Sequence, residues 1–393
     1  MKTKFYYYII LVILFWGCTH TVSIKNEREG KLTANYQLVV GSEKKILLDY
    51  DTAPKPPYMQ MIKGELGEQI LTFLNPYKYA IYFYNYENGE LIRKIEYEKE
   101  GPNGILRLEG YYIKNMDSIY VFSGMVELAL TDSTGHVKQR ISLRDNRTDR
   151  EWARYYPQYF LSTVNPLIET QGKLILTGTE PSGIRDSLIR KFHFTSCVDL
   201  KTGNVQFVHS YPEELYGSDV NWQDFYYTQG YREISPSGEW LYSFPVSHDV
   251  YITQLDAEGY KTVYAGSNVA RTIRPINADR RNTPYEIIHT HFLNHDLYFA
   301  LLHDPYRNVY YRFMLQGMPD ATIQTRIEEK SIVVILMDEQ FNYMGETVIG
   351  PWEKWNWGNS FVTSEGLMIE YHDPDLDSEE EYLHFKTFTI EKL

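Results

Sequence analysis

The segment YAIYFYNYENGELIRKIEY, residues 79–97, combines an alternating apolar strand, an Asn-Gly turn and a second strand. Asn-Gly pairs between alternating hydrophobic residues are typical of β-hairpins, because both turn residues adopt positive φ readily. The same unit recurs in residues 117–143, 194–209, 249–264 and 331–350, and its turn glycines are Gly89, Gly135, Gly203, Gly259 and Gly345. The chain is therefore predicted to repeat one hairpin-based unit.

A lone hairpin cannot bury both of its faces, so the units must pack on one another. Four-stranded sheets of about 40–60 residues arranged in a ring achieve this, and that arrangement is a β-propeller. With a sixth hairpin at 295–315, we predict an all-β, six-bladed propeller forming a single domain over 36–393. Residues 36–40 and 385–393 are expected to close the ring by sharing one blade. The alternative is an irregular sandwich or a pair of sandwiches.

Composition supports strands and argues against nucleic-acid binding. The 393 residues include 35 tyrosines, aromatic residues make up 15%, and these residue types favour pleated, half-buried surfaces. The formal charge is −13, and removal of residues 1–17, which contain Lys2 and Lys4, makes it two units more negative. Such a surface repels phosphates, so no nucleic-acid partner is expected.

The N-terminus resembles a bacterial lipoprotein signal. Two lysines precede the apolar run Phe5–Trp16, which is shorter than the roughly 20 residues that span a bilayer. Gly17 and Cys18 follow directly, as in a lipobox, so we predict a signal peptide at 1–17 and lipid attachment at Cys18. Residues 18–35 are expected to be a flexible tether to the membrane. This places the protein in the cell envelope as an outer-membrane lipoprotein, with the periplasmic and surface sides both open.

Two further segments carry a family resemblance. EGPNGILRLEGYYIKNMDSIYVFS (100–123) is similar to NHL-type and TolB-like blades, and ISPSGEWLYSFPV (234–246) resembles the Ser-Pro-x-Gly turn of a TolB-type blade. With the lipobox, they make the chain resemble the exported TolB-like six-bladed propeller lipoproteins of Bacteroides-type bacteria, domain-of-unknown-function family 4221. The resemblance implies a fold and an exported location, but no activity, cofactor or catalytic residue.

Two polar clusters suggest metal sites. If residues around His289, His291 and His295 form a strand, the first two imidazoles lie on one face and offer metal ligands. The alternative is that these side chains are solvated or hydrogen-bonded at strand ends. Asp373, Asp375 and Asp377 alternate as in a calcium loop, but the turn glycine and final Glu of such a loop are missing. No cofactor other than such a metal is expected.

Aromatic clusters between the hairpin units are the predicted binding residues. Flat rings on a propeller rim can stack on sugars or anchor a peptide, whereas the alternative role is packing between blades. The candidates are Trp152, Tyr155, Tyr156, Trp222, Trp352, Trp355 and Trp357, with Tyr159, Tyr226 and Tyr227 beside them.

The function predicted from sequence is a lipid-anchored envelope binding protein whose rim holds a protein partner or a glycan. Common catalytic motifs, such as G-x-S-x-G, H-E-x-x-H and the phosphate-binding glycine loops, are missing from the sequence. Two alternatives stay open. One is a propeller enzyme, a glycan hydrolase or lyase, and the other is a structural subunit of an envelope complex.

Overall fold

The strands form a closed ring of sheets. The computed structural model describes residues 22–52, 54–124, 126–144, 156–181, 189, 191–217, 220–223, 225–280, 282–372 and 381–393. Within these ranges, 24 strands form six four-stranded antiparallel sheets. The predicted all-β, six-bladed β-propeller is confirmed.

Each of the first five blades is built from four consecutive strands, ordered from the axis outwards. Blade 1 contains β2 (Met59–Lys63), β3 (Gln69–Asn75), β4 (Ala80–Asn85) and β5 (Leu91–Glu96). Blade 2 contains β6 (Gly110–Asn115), β7 (Ser118–Phe122), β8 (Glu127–Thr131) and β9 (Val137–Ser142). Blade 3 contains β10 (Ile168–Thr170), β11 (Lys173–Thr177), β12 (His193–Asp199) and β13 (Val205–Ser210). Blade 4 contains β14 (Tyr231–Ile234), β15 (Trp240–Ser243), β16 (Asp249–Thr253) and β17 (Lys261–Tyr264). Blade 5 contains β18 (Leu297–Asp304), β19 (Val309–Leu315), β20 (Ser331–Asp338) and β21 (Tyr343–Pro351).

Blade 6 closes the ring with strands from both ends of the chain. It contains β22 (Trp355–Val362), β23 (Leu367–Tyr371), β24 (Tyr382–Lys392) and, at its outer edge, β1 (Tyr36–Leu47). β1 and β24 are antiparallel, with Tyr36 opposite Lys392 and Leu47 opposite Tyr382. The prediction that the terminal strands share one blade is confirmed, and the closed ring leaves no blade without neighbours.

The two ends of the propeller differ. The connection face carries the links from each outer strand to the next blade and the loops between the second and third strands. The hairpin face carries the remaining tight turns. The described helices α1 (Glu213–Tyr216), α2 (Phe225–Thr228) and α3 (Tyr285–Asn294), and the 3₁₀ turn Ile327–Glu329, all lie in segments of the connection face. The longer and more varied segments, where binding residues usually occur, are therefore at one end.

Packing between blades explains the apolar alternation in the sequence. On β4, Ile81 and Phe83 join a core cluster with blade 2, whereas Tyr82 and Tyr84 join a cluster with blade 6. Successive side chains on a strand point to opposite faces, so a blade between two neighbours buries both. The ring thus gives each small sheet the burial that it cannot provide alone.

The predicted turn glycines are confirmed in four of the five units. Gly89, Gly135, Gly203 and Gly259 have φ between +74° and +80°, the conformation for which these turns select glycine. Gly345 is a correction, because it lies within β21 opposite Leu336. A Cβ at that position would overlap the carbonyl oxygen of Tyr36. Its role is therefore close backbone approach, not turn formation.

Residues 22–35 are bound to the propeller, which corrects the predicted tether over this part of 18–35. Ile24 and Ile273 exchange backbone hydrogen bonds of 2.9 and 3.0 Å. The buried Asn26 side chain donates to the carbonyls of Ser267 and Ala270 at 2.8 and 2.7 Å. These bonds offset the conformational entropy that would otherwise favour a free linker. Cys18 and the signal segment 1–17 lie outside the described residues, and no helix in the described part has the length and apolar character to cross a membrane.

A buried carboxyl group ties blade 6 to two other parts of the ring. Glu370 on β23 accepts hydrogen bonds from the Nδ2 groups of Asn356 and Asn359, at 2.6 and 2.8 Å. Asn359 also donates to the Pro56 carbonyl at 2.7 Å, and its Oδ1 accepts from the Thr163 hydroxyl at 2.6 Å. The network joins the segments that lead into blades 1 and 3 to blade 6.

This carboxyl predicts a pH dependence of stability. Burial raises the pKa of Glu370 to about 7, against the opposing effect of its amide donors. The folded pKa lies above the unfolded one, so the folded state holds this proton more tightly. The contribution of Glu370 to stability is then largest below pH 4.5 and is lost as the pH rises through about 7, a change of roughly 3 kcal/mol. The Glu370→Gln side chain cannot ionise, so the unfolding free energy of this variant is expected not to show the decrease that Glu370 causes as the pH rises. Denaturant titrations at pH 5 and pH 8 test this, with the exposed Glu365→Gln as a control, and an unchanged profile in Glu370→Gln would contradict it.

Candidate functional site

A large cavity opens on the connection face between blades 1, 2 and 3. Its volume is about 690 Å³, within the range of small-ligand sites. Most of its wall is apolar, and Arg107, Glu109 and Gln158 supply polar groups. Arg107 and Glu109 form an exposed ion pair at 3.5 Å on the edge. The remaining lining residues are Pro57, Leu74, Pro76, Leu108, Phe122, Val126, Tyr156, Pro157, Tyr159, Phe160 and Leu161.

The aromatic rings of the cavity wall are packed against neighbouring side chains from behind. Tyr159 contacts Phe122 edge-on at a centroid distance of 5.5 Å, and its hydroxyl bonds to Ser196 Oγ. Tyr156 packs on Phe207 at 5.4 Å. Burial raises the pKa of the Tyr159 phenol well above its ordinary value, so the hydroxyl stays a neutral hydrogen-bonding group. We call this cavity, with its lining residues, the blade 1–3 cavity.

A second cavity of about 380 Å³ opens on the same face beside helix α3. Tyr285, His289 and Phe292 form one wall, and Arg326 and Glu328 lie on the other. Its remaining lining residues are Tyr226, Tyr227, Ile288, Ile323, Gln324, Thr325 and Ile327. We call it the blade 4–5 cavity. It combines aromatic faces with amide, guanidinium and carboxylate groups, which suits a ligand that is both flat and polar.

A row of aromatic rings in contact connects the two cavities. Phe160 stacks on Phe225 at a centroid distance of 4.9 Å, Phe225 contacts Tyr226 at 4.1 Å, and Tyr226 contacts Phe292 at 4.7 Å. Phe160 is 45% exposed and Phe225 is 37% exposed, although both are purely apolar. Exposed apolar rings in contact with each other mark an interaction surface more often than isolated ones do. We call Phe160, Phe225, Tyr226 and Phe292 the aromatic ridge.

A smaller cavity of about 280 Å³ lies on the propeller axis, lined by inner-strand residues such as Met61, Ile113 and Phe361. Its only amide side chain among the described lining residues is Gln60, which donates to the Tyr58 hydroxyl at 2.8 Å and the Leu167 carbonyl at 3.2 Å. The Gln60 amide nitrogen is thus used to join blades 1 and 3. This part of the channel serves packing.

The structure separates the predicted aromatic residues into two groups. Tyr156 lines the blade 1–3 cavity, and Tyr226 belongs to the aromatic ridge. Trp222 is buried, stacks on Tyr227 at 5.5 Å and donates its indole N–H to the Leu215 carbonyl at 2.8 Å. Trp152 and Tyr155 lie outside the described residues.

Two of the three tryptophans of the PWEKWNWG segment, Trp355 and Trp357, are buried between blades. For them the alternative packing role holds, and the predicted binding role is corrected. Trp357 is buried at the axis, 4.6 Å from Phe299 of blade 5 and 5.9 Å from Tyr231 of blade 4. Trp355 is buried and packs on Phe388 at 5.3 Å, and Trp352 contacts Trp357 at 6.0 Å. Strand β22 is the inner strand of blade 6, so its aromatic side chains fill the space where the blades converge.

The histidine cluster also requires correction, because residues 285–294 form helix α3 rather than a strand. Pro284 is the N-cap residue, in an extended conformation directly before the first turn. His289 and His291 are two residues apart, about 200° around a helix, so their rings point in different directions. His291 bonds to the Tyr227 hydroxyl and the Arg274 carbonyl, both at 2.8 Å, and burial lowers its pKa to about 3.

His295 makes a local hydrogen bond instead of facing a metal. Its Nδ1–H donates to the His291 carbonyl at 2.9 Å, and the two imidazole rings stack at 4.0 Å. In the part of the chain that the structure describes, no group of three or more His, Cys, Asp or Glu side chains is arranged to hold a metal ion. The calcium-like residues Asp373, Asp375 and Asp377 lie outside that part.

Phe160 and Phe225 were missed by sequence reasoning, although a signal was present. Each directly adjoins a tyrosine already in a predicted cluster, Tyr159 or Tyr226. Tryptophans are the more obvious candidates for a binding surface because their rings are larger. Large rings, however, are also the ones that fill gaps between blades. Only the fold distinguishes a ring turned into such a gap from a ring on its edge.

Both cavities offer stacking surface with polar groups at the edges. Each has one carboxylate among its described lining residues, Glu109 in the blade 1–3 cavity and Glu328 in the blade 4–5 cavity.

The described residues form a six-bladed β-propeller with two cavities on its connection face. The chain belongs to the family described as Domain of unknown function (DUF4221), which matches residues 35–348, as the resemblance predicted. It is similar in fold to a DUF4221 member from Bacteroides vulgatus, with 20% identity, a TM-score of 0.73, and coverage of 92% of this chain and 100% of that chain. A Bacteroides fragilis protein described as exported shares 10% identity, a TM-score of 0.53, and coverage of 91% and 95%. No curated protein matches the sequence.

Proposed function

We propose that this protein is a lipid-anchored binding protein of the cell envelope that holds a glycan or a protein partner on its connection face. The observation that carries the proposal is the pair of cavities joined by the aromatic ridge, of which Phe160 and Phe225 are exposed. Centrally placed aromatic side chains contribute most of the affinity in many interfaces. The lipobox at Cys18 supports anchoring, in the outer membrane of a bacterial envelope.

The aromatic ridge suits the recognition of a ligand longer than one cavity. Phe160 lines the first cavity, and Tyr226 and Phe292 line the second, so one extended molecule could contact both through continuous rings. Sugar faces and apolar peptide side chains both stack on such rings. The polar groups at the edges, Arg107 and Arg326 among them, would orient the ligand.

Binding is tested by pull-down of the tagged, lipidated protein from envelope extract together with a glycan array. Phe160→Ala and Phe225→Ala are each expected to weaken saturable binding about tenfold or more, because they truncate the exposed centre of the surface. The control is Tyr306→Ala, which removes a 54% exposed ring from the hairpin face. Wild-type affinity in both phenylalanine variants would show that the ligand does not bind at the connection face.

A further inference from the structure

The N-terminal segment leaves the propeller at the connection face. Ile24 pairs with Ile273 in the link between blades 4 and 5, and its carbonyl lies 3.3 Å from Nε2 of His248. His248 follows β15 in a second-to-third strand loop of the same face. From Asn35, which donates its backbone N–H to the Met344 carbonyl, the segment runs along the side of blades 4 and 5 to this point. Val22, the first described residue, is therefore held at the connection face.

The distance from Val22 to the predicted anchor is short. Four residue steps separate Cys18 from Val22, and an extended chain spans at most about 14 Å over that length. A lipid on Cys18 would hold the adjoining edge of the connection face within that distance of the bilayer surface. A freely moving tether over 18–35 would have allowed any orientation, but residues 22–35 are bound.

The exposed apolar side chains are also more numerous on the connection face than on the hairpin face. Among the described residues, the hairpin face exposes four large hydrophobic side chains: Leu66, Leu91 at the start of β5, Tyr306 and Leu393 after β24. The connection face exposes Tyr50, Tyr77, Leu106, Phe160, Phe225, Val269, Tyr285, Ile287 and Ile323. Tyrosine is favoured where one end of a side chain is in apolar surroundings and the other in water, as at a membrane surface.

We propose that the connection face lies against the lipid surface, with these apolar side chains in the interfacial region and both cavities open to ligands presented at the membrane. This inference rests on the lipid anchor of the proposed function and narrows its ligand to a membrane-associated one. The protein is acidic overall, so attachment to zwitterionic lipid depends on the anchor and on apolar contact, not on attraction to anionic headgroups.

The test uses the full, lipidated chain on phosphatidylethanolamine–phosphatidylcholine vesicles. Single cysteines carrying an environment-sensitive fluorophore are introduced as Tyr77→Cys and Tyr285→Cys on the connection face, and as Leu66→Cys and Tyr306→Cys on the hairpin face. The native Cys197 is buried, so the engineered thiol is the accessible one. Quenching by doxyl-labelled lipids is expected to be several-fold stronger at the connection-face positions.

The possible failures are distinguishable with a Cys18→Ser variant and mass spectrometry of the mature protein. If the lipidated protein binds vesicles but its connection-face labels are quenched no more than the hairpin-face labels, the orientation is wrong while the anchor stands. In that case the exposed apolar side chains of the connection face would be assigned to contact with a protein partner. If the wild type carries no lipid and binds vesicles no better than Cys18→Ser, the anchor is wrong and the inference falls with it. Stronger quenching at Leu66→Cys would reverse the orientation.

Discussion

Replacement of Arg312 by alanine is expected to lower the free energy of unfolding by about 4 kcal/mol, because it combines a large cavity with stranded buried acceptors. Arg312 lies on β19 of blade 5 and is fully buried. Its guanidinium stacks on the Tyr298 ring at 4.0 Å and joins blade 5 to the turn of blade 4. It donates to Ser243 Oγ and to the carbonyls of Phe244, Ser247, His248, Asp249 and Ala265, at 2.9 to 3.5 Å.

Burial lowers the pKa of Arg312 only to about 10, so the group is cationic at neutral pH. A planar fork with five N–H donors can satisfy several carbonyls at once, which an ammonium cannot. Arg312→Lys should therefore recover only part of the lost stability. Guanidinium chloride unfolding measures the effect, with Arg93→Ala on the exposed edge strand β5 as a control within about 0.5 kcal/mol of wild type. Equal midpoints for Arg312→Ala and Arg93→Ala would show that the blade 4–5 contact does not depend on this network.

Lys330→Met is expected to loosen helix α3 and to cost about 2–3 kcal/mol. The buried Lys330 ammonium donates to the carbonyls of Phe292, Leu293 and His295, at 2.8, 3.1 and 2.7 Å. These carbonyls stand at the C-terminal end of α3, where the helix supplies no partners and the dipole favours a cation. Methionine has a similar length and no donor, so the change removes the cap with little change of volume.

The consequence reaches the candidate site, because α3 forms one wall of the blade 4–5 cavity. Hydrogen exchange measured by mass spectrometry should accelerate in residues 285–294 more than in the strands of blade 1. Binding of a ligand that contacts this cavity should weaken as well. The exposed Lys63→Met is the matched control and should leave both measurements at wild-type values. Unchanged exchange in Lys330→Met would mean that packing of Phe292 and Leu293 holds the helix without the cap.

The hairpins could be predicted from sequence because their signals are local. Asn88-Gly89 and the alternation in β4 lie within a few residues of each other, and both directly reflect backbone preferences. The closure of blade 6 was also predictable, since a ring must pair its terminal strands. The helical state of residues 285–294 was not, because its side chains have no clear pattern and Pro284 was the main local sign.

The sequence does not predict which aromatic side chains are buried and which are exposed. Trp357 and Phe225 are both large rings in or beside a blade boundary, yet one is buried at the axis and the other is exposed on the ridge. The difference depends on which neighbouring blade offers a gap of matching shape. The ring contacts that define each position come from residues about 60 positions away in the sequence.

The amino-acid sequence by itself determined the strands, their turns and their number. It also determined that both faces of each sheet are apolar. These features follow from short-range backbone preferences and from the need to bury apolar surface. Only the tertiary structure decided which aromatic side chains face water, where the N-terminal segment is bound, and which cationic side chains are buried among carbonyl groups. Those outcomes depend on contacts between distant segments, and such contacts exist only when the blades have met.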